Sequence, residues 1–241
     1  MSAPVVRRSP VHSGTVVGAT QLTPRMRRVV VRTEAMRDLS IRPAQDVELF
    51  LSESSGRRVK RRYTIRQHRP DVGEIDLDVL VHGHGPGSTW GATAKAGDVV
   101  EFQGPRGKLE LLPADWHLLM GDESAIPAIA SIVEALGTGA RATSVIEVDG
   151  AADELPVLGE VRWVHRDGTP AGRSDLLARA LDDVALPDGF GRCYLMGETR
   201  AMVALRTLAE DRGIAHDAIF VKGYWNLGRP DRIAGRAPST E

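Results

Sequence analysis

The chain changes its hydrophobic rhythm once, near residue 113. Ahead of that point apolar residues recur at every second position. Val47, Leu49 and Leu51 alternate with Glu48, Phe50 and Ser52, and Ile75, Leu77, Val79 and Val81 alternate with Asp76, Asp78, Leu80 and His82. A period of two marks strands with one buried face. Met26 to Val31 is rich in β-branched residues, and Val99 to Phe102 follows the turn residues Gly97-Asp98. Gly104-Pro105-Arg106-Gly107 reads as the turn that closes this last run. A short helix is predicted at Thr89 to Lys95. Short strands at near-regular spacing predict a small antiparallel barrel.

After Leu112-Pro113-Ala114-Asp115 the period lengthens. A strand at His117 to Met120 leads through Gly121 into a helix with Ile126, Ile129, Ile132, Val133 and Leu136 on one face. Pro127 falls in its first turn, where proline is tolerated, and Gly137 to Gly139 end it. Strands are predicted at Ala142–Val148, Val161–His165, Arg192–Met196 and Ala218–Val221. Helices are predicted at Ser174–Leu181, with Ser174 as cap, and at Thr199–Arg212. Strands alternating with helices predict a parallel sheet covered on both faces. The expected fold has two domains, an N-terminal antiparallel β-barrel over 1–113 and a C-terminal α/β parallel-sheet domain over 114–241. The tail after Arg229 is polar and is expected to be poorly ordered.

Composition narrows the function. The 241 residues are 42% hydrophobic and 26% charged, with a net charge of -1, which argues against a general nucleic-acid binder. No apolar run reaches the roughly 18 residues of a membrane span, and the start lacks the apolar core of a secretion signal. A cytoplasmic protein without membrane insertion is expected. The single cysteine, Cys193, excludes an intramolecular disulfide and a Cys-ligated iron–sulfur cluster, and is expected in the core.

Four segments carry candidate chemistry. Seven of the thirteen residues from Arg57 to Arg69 are Lys or Arg, around the run Arg61-Arg62-Tyr63-Thr64-Ile65-Arg66. A one-sign cluster holding a tyrosine suits an anion with an aromatic part, since a phosphate takes Arg bidentately and a flat ring takes the tyrosine face. The alternative is a basic strand end before a turn at Arg69-Pro70-Asp71. The segment His82-Gly83-His84-Gly85-Pro86-Gly87-Ser88-Thr89-Trp90 leaves a strand through a glycine-rich turn that could cradle a pyrophosphate. His82 and His84 have no Cys or third His nearby, so no metal site is expected. Met120-Gly121-Asp122-Glu123-Ser124-Ala125-Ile126-Pro127 stands where a dinucleotide fold places its glycine fingerprint, which is absent, and Asp122 and Glu123 would repel a pyrophosphate. Val221 to Arg229, with Lys222, Tyr224 and Trp225, is expected to follow the last strand at a ligand crevice. Glu147 and Asp149 end the second α/β strand with no cation between Ser144 and Pro156, which predicts NADH rather than NADPH wherever a dinucleotide binds.

In this order the four segments resemble the siderophore-interacting proteins, FAD-containing ferric-siderophore reductases of the ferredoxin-reductase-like superfamily, from roughly Gly14 to Arg229. The resemblance implies an FAD-binding barrel and an NAD(P)-binding-like α/β domain. It implies that Arg61, Arg62, Tyr63 and Thr64, with Asp78, Leu80 and Val81, hold the flavin and its phosphates. His82, Gly85, Gly87, Ser88, Thr89 and Trp90 would wrap the ribityl chain and pyrophosphate. Asp122, Glu123 and Ser124, together with Tyr224 and Trp225, would reach the flavin from the second domain. Lys222, Arg66 and Arg229 would dock the anionic iron chelate. No side chain is expected to be catalytic, because the flavin performs the chemistry. The implied activity is reduction of a ferric siderophore, releasing ferrous iron in the cytoplasm, by a monomer fed from NAD(P)H or ferredoxin. An NAD(P)H-flavin reductase with another acceptor and a non-catalytic siderophore binder are the alternatives. Gly87 stands where the family often has Ala, a mild departure, and Asn226 where it commonly has Arg.

Overall fold

Six strands close on themselves to form the first half of the molecule. The computed structural model describes residues 10–53, 55–83 and 85–228. The strands are β1 (Val11–Gln21), β2 (Met26–Arg32), β3 (Asp46–Ser52), β4 (Arg58–Arg69), β5 (Glu74–Leu80) and β6 (Val99–Arg106). They pair antiparallel in the order β1-β2-β5-β4-β3-β6, with β6 returning to β1. The period-two residues do what their spacing predicts: Val47, Leu49, Ile75, Leu77 and Val79 fill the barrel with Val29, Val31, Ile65 and Phe102.

The alternate positions are less ordinary, because Asp46, Glu48, Asp76 and Asp78 are buried as well. Arginines on neighbouring strands cover them. Arg28 grips Asp78 through Nε and Nη2 at 2.7 and 2.8 Å, and Arg69 reaches Asp76. Glu48 takes both Lys60 and Arg106 at 2.9 Å. Lys60, Arg62 and Arg69 of β4 thus face acids on adjacent strands, while Arg58 meets Glu101 of β6 and Arg66 meets Glu134. Lys60 and Arg58 also lie over the Phe50 ring, at 4.9 and 5.1 Å. Such cross-strand pairs contribute roughly 0.2–1 kcal/mol each, so the belt acts through its number.

One helix, α1 (Pro86–Thr93), lies between β5 and β6. It begins three residues before the predicted Thr89. Gly85 turns the chain at φ 122°, and Pro86 and Gly87 form the first helical turn. Further boundaries also differ from the prediction. β6 continues through Gly104-Pro105-Arg106, so those residues do not form a closing turn.

The last strand also runs further, as the second half shows. Its strands are β7 (Trp116–Asp122), β8 (Ala142–Val148), β9 (Glu160–His165), β10 (Gly191–Glu198) and β11 (Ile219–Trp225), parallel in the order β11-β10-β7-β8-β9. Lys222 to Trp225 thus belong to β11 rather than following it. Helix α2 (Ile126–Leu136) covers one face, and α3 (Leu176–Asp183) and α4 (Thr199–Asp211) cover the other. Ser174 does not cap α3; its hydroxyl donates instead to Glu147 on β8.

The apolar face of α2 packs with Met26, Ala44 and Leu109, so one core runs from the sheet into the barrel side. Polar ties cross at the same place. Ala44 N–H donates to Ser131 Oγ of α2 at 3.0 Å, and Arg66 donates to Glu134 at 2.8 and 2.5 Å. Among the described residues, no helix is long and apolar enough to cross a membrane.

Cys193 sits in the core beneath α3 and α4, fully buried, and burial pushes its thiol up to about 12. A thiol that is neither exposed nor ionised is a poor nucleophile. We expect iodoacetamide at pH 8 to leave the native protein unlabelled and to label one site per chain in denaturant, as read by intact mass. Labelling of the native protein at the denatured rate would contradict this packing.

Candidate functional site

A cavity of about 470 Å³ opens along the seam between barrel and sheet. β4 forms one wall with Arg61, Arg62, Tyr63 and Thr64. The end of β5 contributes Asp78, Leu80 and His82, and the entry to α1 contributes Gly85, Gly87 and Ser88. From the second half come Asp122, Glu123 and Ser124, and Lys222, Tyr224 and Trp225. Four segments far apart in sequence thus meet at one space.

Several predicted residues stand behind the lining. Trp90 supports the wall by packing on Tyr63, with ring centroids 5.7 Å apart and planes at 40°. Thr89 donates its N–H to Gly85 within α1, and Val81 donates its N–H to the carbonyl of Arg25. Arg66 does not reach the cavity, because its guanidinium is engaged by Glu134 and its side chain is only 11% exposed. Arg229 and His84 lie outside the described residues. Among the described residues, no group of three or more His, Cys, Asp or Glu is placed to hold a metal.

The entry to α1 suits a phosphate. It points the positive end of a helix at the cavity, and its first turn carries no acid. An added Cβ at Gly85 would meet nothing within 4 Å, so the backbone there faces open space. Ser88 Oγ accepts the N–H of His82 at 3.0 Å and keeps a proton to donate. The other end of α1 is held by Arg27, whose Nη1 donates to the carbonyls of Gly91 and Ala92 at 2.8 and 2.5 Å.

The wall at β4 suits a flat group with a polar edge. Gly87 lets Tyr63 lie close beneath α1, since a Cβ there would stand 2.3 Å from Tyr63 Oη. The departure that sequence comparison makes look mild is therefore one that Tyr63 depends on. Burial pushes the Tyr63 and Tyr224 phenols up, so both stay neutral donors. Among the described residues, Arg62 Nε and Asp46 Oδ1 are buried without a hydrogen-bond partner, 3.6 Å from each other. A buried donor and acceptor that face each other without a hydrogen bond at the cavity wall fit a site that a polar ligand completes. The residues present fit FAD.

The sheet side is crowded with the chain's own charges. Asp122 accepts Ser124 N–H and Oγ–H on one oxygen, and Glu198 N–H and Trp225 Nε1 on the other. Glu123 is gripped by both terminal nitrogens of the buried Arg166, and Arg25 stands 3.4 Å away. Burial works against the Arg166 guanidinium, but the hydrogen bonds and charge of Glu123 hold its pKa above the ordinary value. Burial pushes the Glu147 carboxyl up, opposed by Ser174 and Arg166. The acid just past β8 is not without cations in space. Asp149 lies 3.8 Å from Arg166 and 3.4 Å from Arg25, cations that the linear sequence places elsewhere.

Lys222 is similarly committed. Its Nζ donates to Asp46 Oδ2 at 2.8 Å and to the carbonyl of Ala44 at 3.1 Å, and 18% of its side chain is exposed. Its expected place in a docking patch meets an ammonium that already ties β11 to β3. Arg25 and Asp46 also line the cavity from outside the candidate segments, and Lys60 and Gly223 line it from within them. Lys60 belongs to the basic run already singled out, while Asp46, Arg25 and Arg166 had no local signal.

Two variants test this geometry. Gly87→Ala should displace Tyr63 from Trp90 and raise the dissociation constant of FAD, measured by flavin fluorescence quenching on titrating the apoprotein; an unchanged constant would refute the Tyr63 role. Arg166→Gln leaves buried acids unpaired and should destabilise the fold by about 3–5 kcal/mol in urea denaturation. A loss below about 1 kcal/mol would mean that water reaches the cluster.

Comparison with known proteins agrees with this construction. Residues 114–228 match the family model for siderophore-interacting protein, and residues 52–109 match that for a siderophore-interacting FAD-binding domain. The chain is 36% identical over 180 residues to the ferric vibriobactin reductase ViuB of Vibrio cholerae, covering 71% of this chain and 66% of that protein. The crystal structure of a siderophore utilization protein from T. fusca superposes with a TM-score of 0.83 at 32% identity, covering 91% of this chain and 94% of that one. The ferredoxin reductase of carbazole 1,9a-dioxygenase shares the fold at 18% identity, with a TM-score of 0.73 over 92% of this chain and 71% of its own. The chain is therefore a member of the siderophore-interacting protein family, with the two-domain ferredoxin-reductase-like fold and an FAD-binding domain.

Proposed function

We propose that this protein is an FAD-dependent reductase of ferric siderophores that frees iron as the ferrous ion in the cytoplasm. The observation that carries the reading is the seam cavity, where an acid-free helix entry and an unpaired donor–acceptor pair converge. The relative named as a ferric vibriobactin reductase supports the substrate class. Bound FAD supplies the redox chemistry, taking up two electrons and passing them on singly. A siderophore holds ferric iron through hard oxygen donors and holds ferrous iron far less tightly, so one electron releases the metal.

The side chains bind and orient. In this reading Arg61 and the α1 entry at Gly85 to Ser88 hold the phosphates. Arg62, Tyr63 and Thr64 set the ring against β4, and Asp122 to Ser124 close the seam side. Tyr224 and Trp225 give the chelate an aromatic wall. The electron donor is NAD(P)H or a ferredoxin-type protein.

The direct test is anaerobic stopped-flow mixing of the photoreduced holoprotein with a panel of ferric siderophores, trapping ferrous iron with a ferrous-specific chelator. We expect flavin absorption to return with one ferrous ion per electron. Failure of every chelate to reoxidise the protein faster than a buffer blank would sink the proposal.

Lys222→Ala separates a tie from a docking charge. Removing the partner of buried Asp46 should cost about 3 kcal/mol of stability. Rim charges act mainly on association rate and its salt dependence. The on-rate of anionic chelates should therefore stay near that of the wild type. A tenfold fall confined to anionic chelates would restore the docking role.

A further inference from the structure

In an open parallel sheet, a dinucleotide lies outside the carboxyl ends of the strands, at the point where strand order reverses. Its pyrophosphate rests on the N-terminus of the first helix, and an acid at the end of the next strand takes the ribose hydroxyls. Here that point lies between β7 and β10. We propose that this edge is closed by the chain's own ion pairs, so that an electron donor engages the seam cavity without a pyrophosphate or adenosine-ribose anchor on the α/β half.

Three parts of the usual anchor are already used. At the reversal point the Trp225 indole donates to Asp122 at 2.8 Å and is packed against Gly172, where a Cβ would come within 2.8 Å of the ring. At the first helix, Ser124 N–H is taken by Asp122 Oδ1, Ile126 N–H by the carbonyl of Glu123, and Pro127 has no N–H to give. At the end of β8, Glu147 accepts the Ser174 hydroxyl and stands 3.5 Å from Arg166, while Asp149 faces Arg166 and Arg25.

Charge points the same way. Glu123 and Asp149 match Arg166 and Arg25 in number, and the Asp122 and Glu147 carboxyls, both pushed up by burial, add no cation, so this cluster leaves a pyrophosphate no unmatched positive charge. Displacement is not an easy alternative. The Glu123 and Arg166 side chains are only 5% and 1% exposed, so a nucleotide entering there would have to separate a buried bidentate pair. Arg25 fastens the same cluster from the barrel, which makes the closure a property of both halves.

The inference rests on the reductase reading only for the identity of the flavin's donor; the closure itself is a statement about nucleotide binding. Calorimetric titration of the FAD-loaded protein with ADP-ribose and with 2′-phospho-ADP-ribose should show no saturable binding at millimolar concentration. Anaerobic loss of flavin absorption with NADH and with NADPH should rise linearly with concentration at indistinguishable slopes, or not occur at all. A binding isotherm for either fragment, or a rate that saturates with either nucleotide, would overturn the proposal. Reoxidation of photoreduced protein by ferric siderophores uses no nucleotide. Its failure would fall on the reductase reading and leave the closure standing.

Discussion

Asp46 is a carboxylate taken out of water where the third strand of the barrel meets the last strand of the sheet. At 2% exposure it needs a cation, and Lys222 supplies one across the seam at 2.8 Å. That requirement fixes more than one contact. Lys222 Nζ also takes the carbonyl of Ala44, whose N–H is bound by Ser131 of α2. Ala44 sits at φ 56°, a left-handed conformation that costs an alanine about 1–2 kcal/mol. The strained residue is therefore held from both sides by the second half of the chain. The same carboxylate keeps its other oxygen turned towards Arg62, too far for a hydrogen bond, on the cavity wall. Joining the halves and leaving a polar pair unsatisfied are two effects of one buried charge.

Much of this was written in local pattern. Period-two alternation announced β3 and β5, the 3.6-residue spacing from Ile126 to Leu136 announced α2, and the change of rhythm near Pro113 lies between β6 and β7. The motif residues around Tyr63, Gly85, Asp122 and Tyr224 did converge on one cavity. What remained hidden depends on register. The basic run of β4 looks like a free anion site until pairing sets Glu48 opposite Arg62 and Asp46 opposite Thr64. Composition alone cannot show that Lys60, Arg62 and Arg69 each face an acid on a neighbouring strand. Ser174 looked like a helix cap because Ser prefers that position, but the helix starts at Leu176 with Asp175 at the cap, and the Ser174 hydroxyl donates to Glu147 on β8. Asp149 looked unopposed because its cations come from residues 25 and 166.

The charge of the cavity follows from these pairings and constrains what it can attract. Its lining holds Arg25, Lys60, Arg61, Arg62 and Lys222 against Asp46, Asp78, Asp122 and Glu123, a formal balance of five cations to four acids. The pyrophosphate of FAD adds two negative charges and turns a slight positive balance into a slight negative one. Long-range steering of an anionic chelate would need a strong positive field at the mouth, and this lining does not provide one. Selection of the chelate proposed as substrate then falls to contact rather than to field. The surfaces available for contact are the aromatic wall of Tyr224 and Trp225 and the width of the seam. Both are set by Asp122, which fixes the indole, and by Asp46, which through Lys222 fixes the strand that carries it. Two buried carboxylates, neither of which needs to touch iron, thereby define the shape of the seam that the proposed substrate would meet.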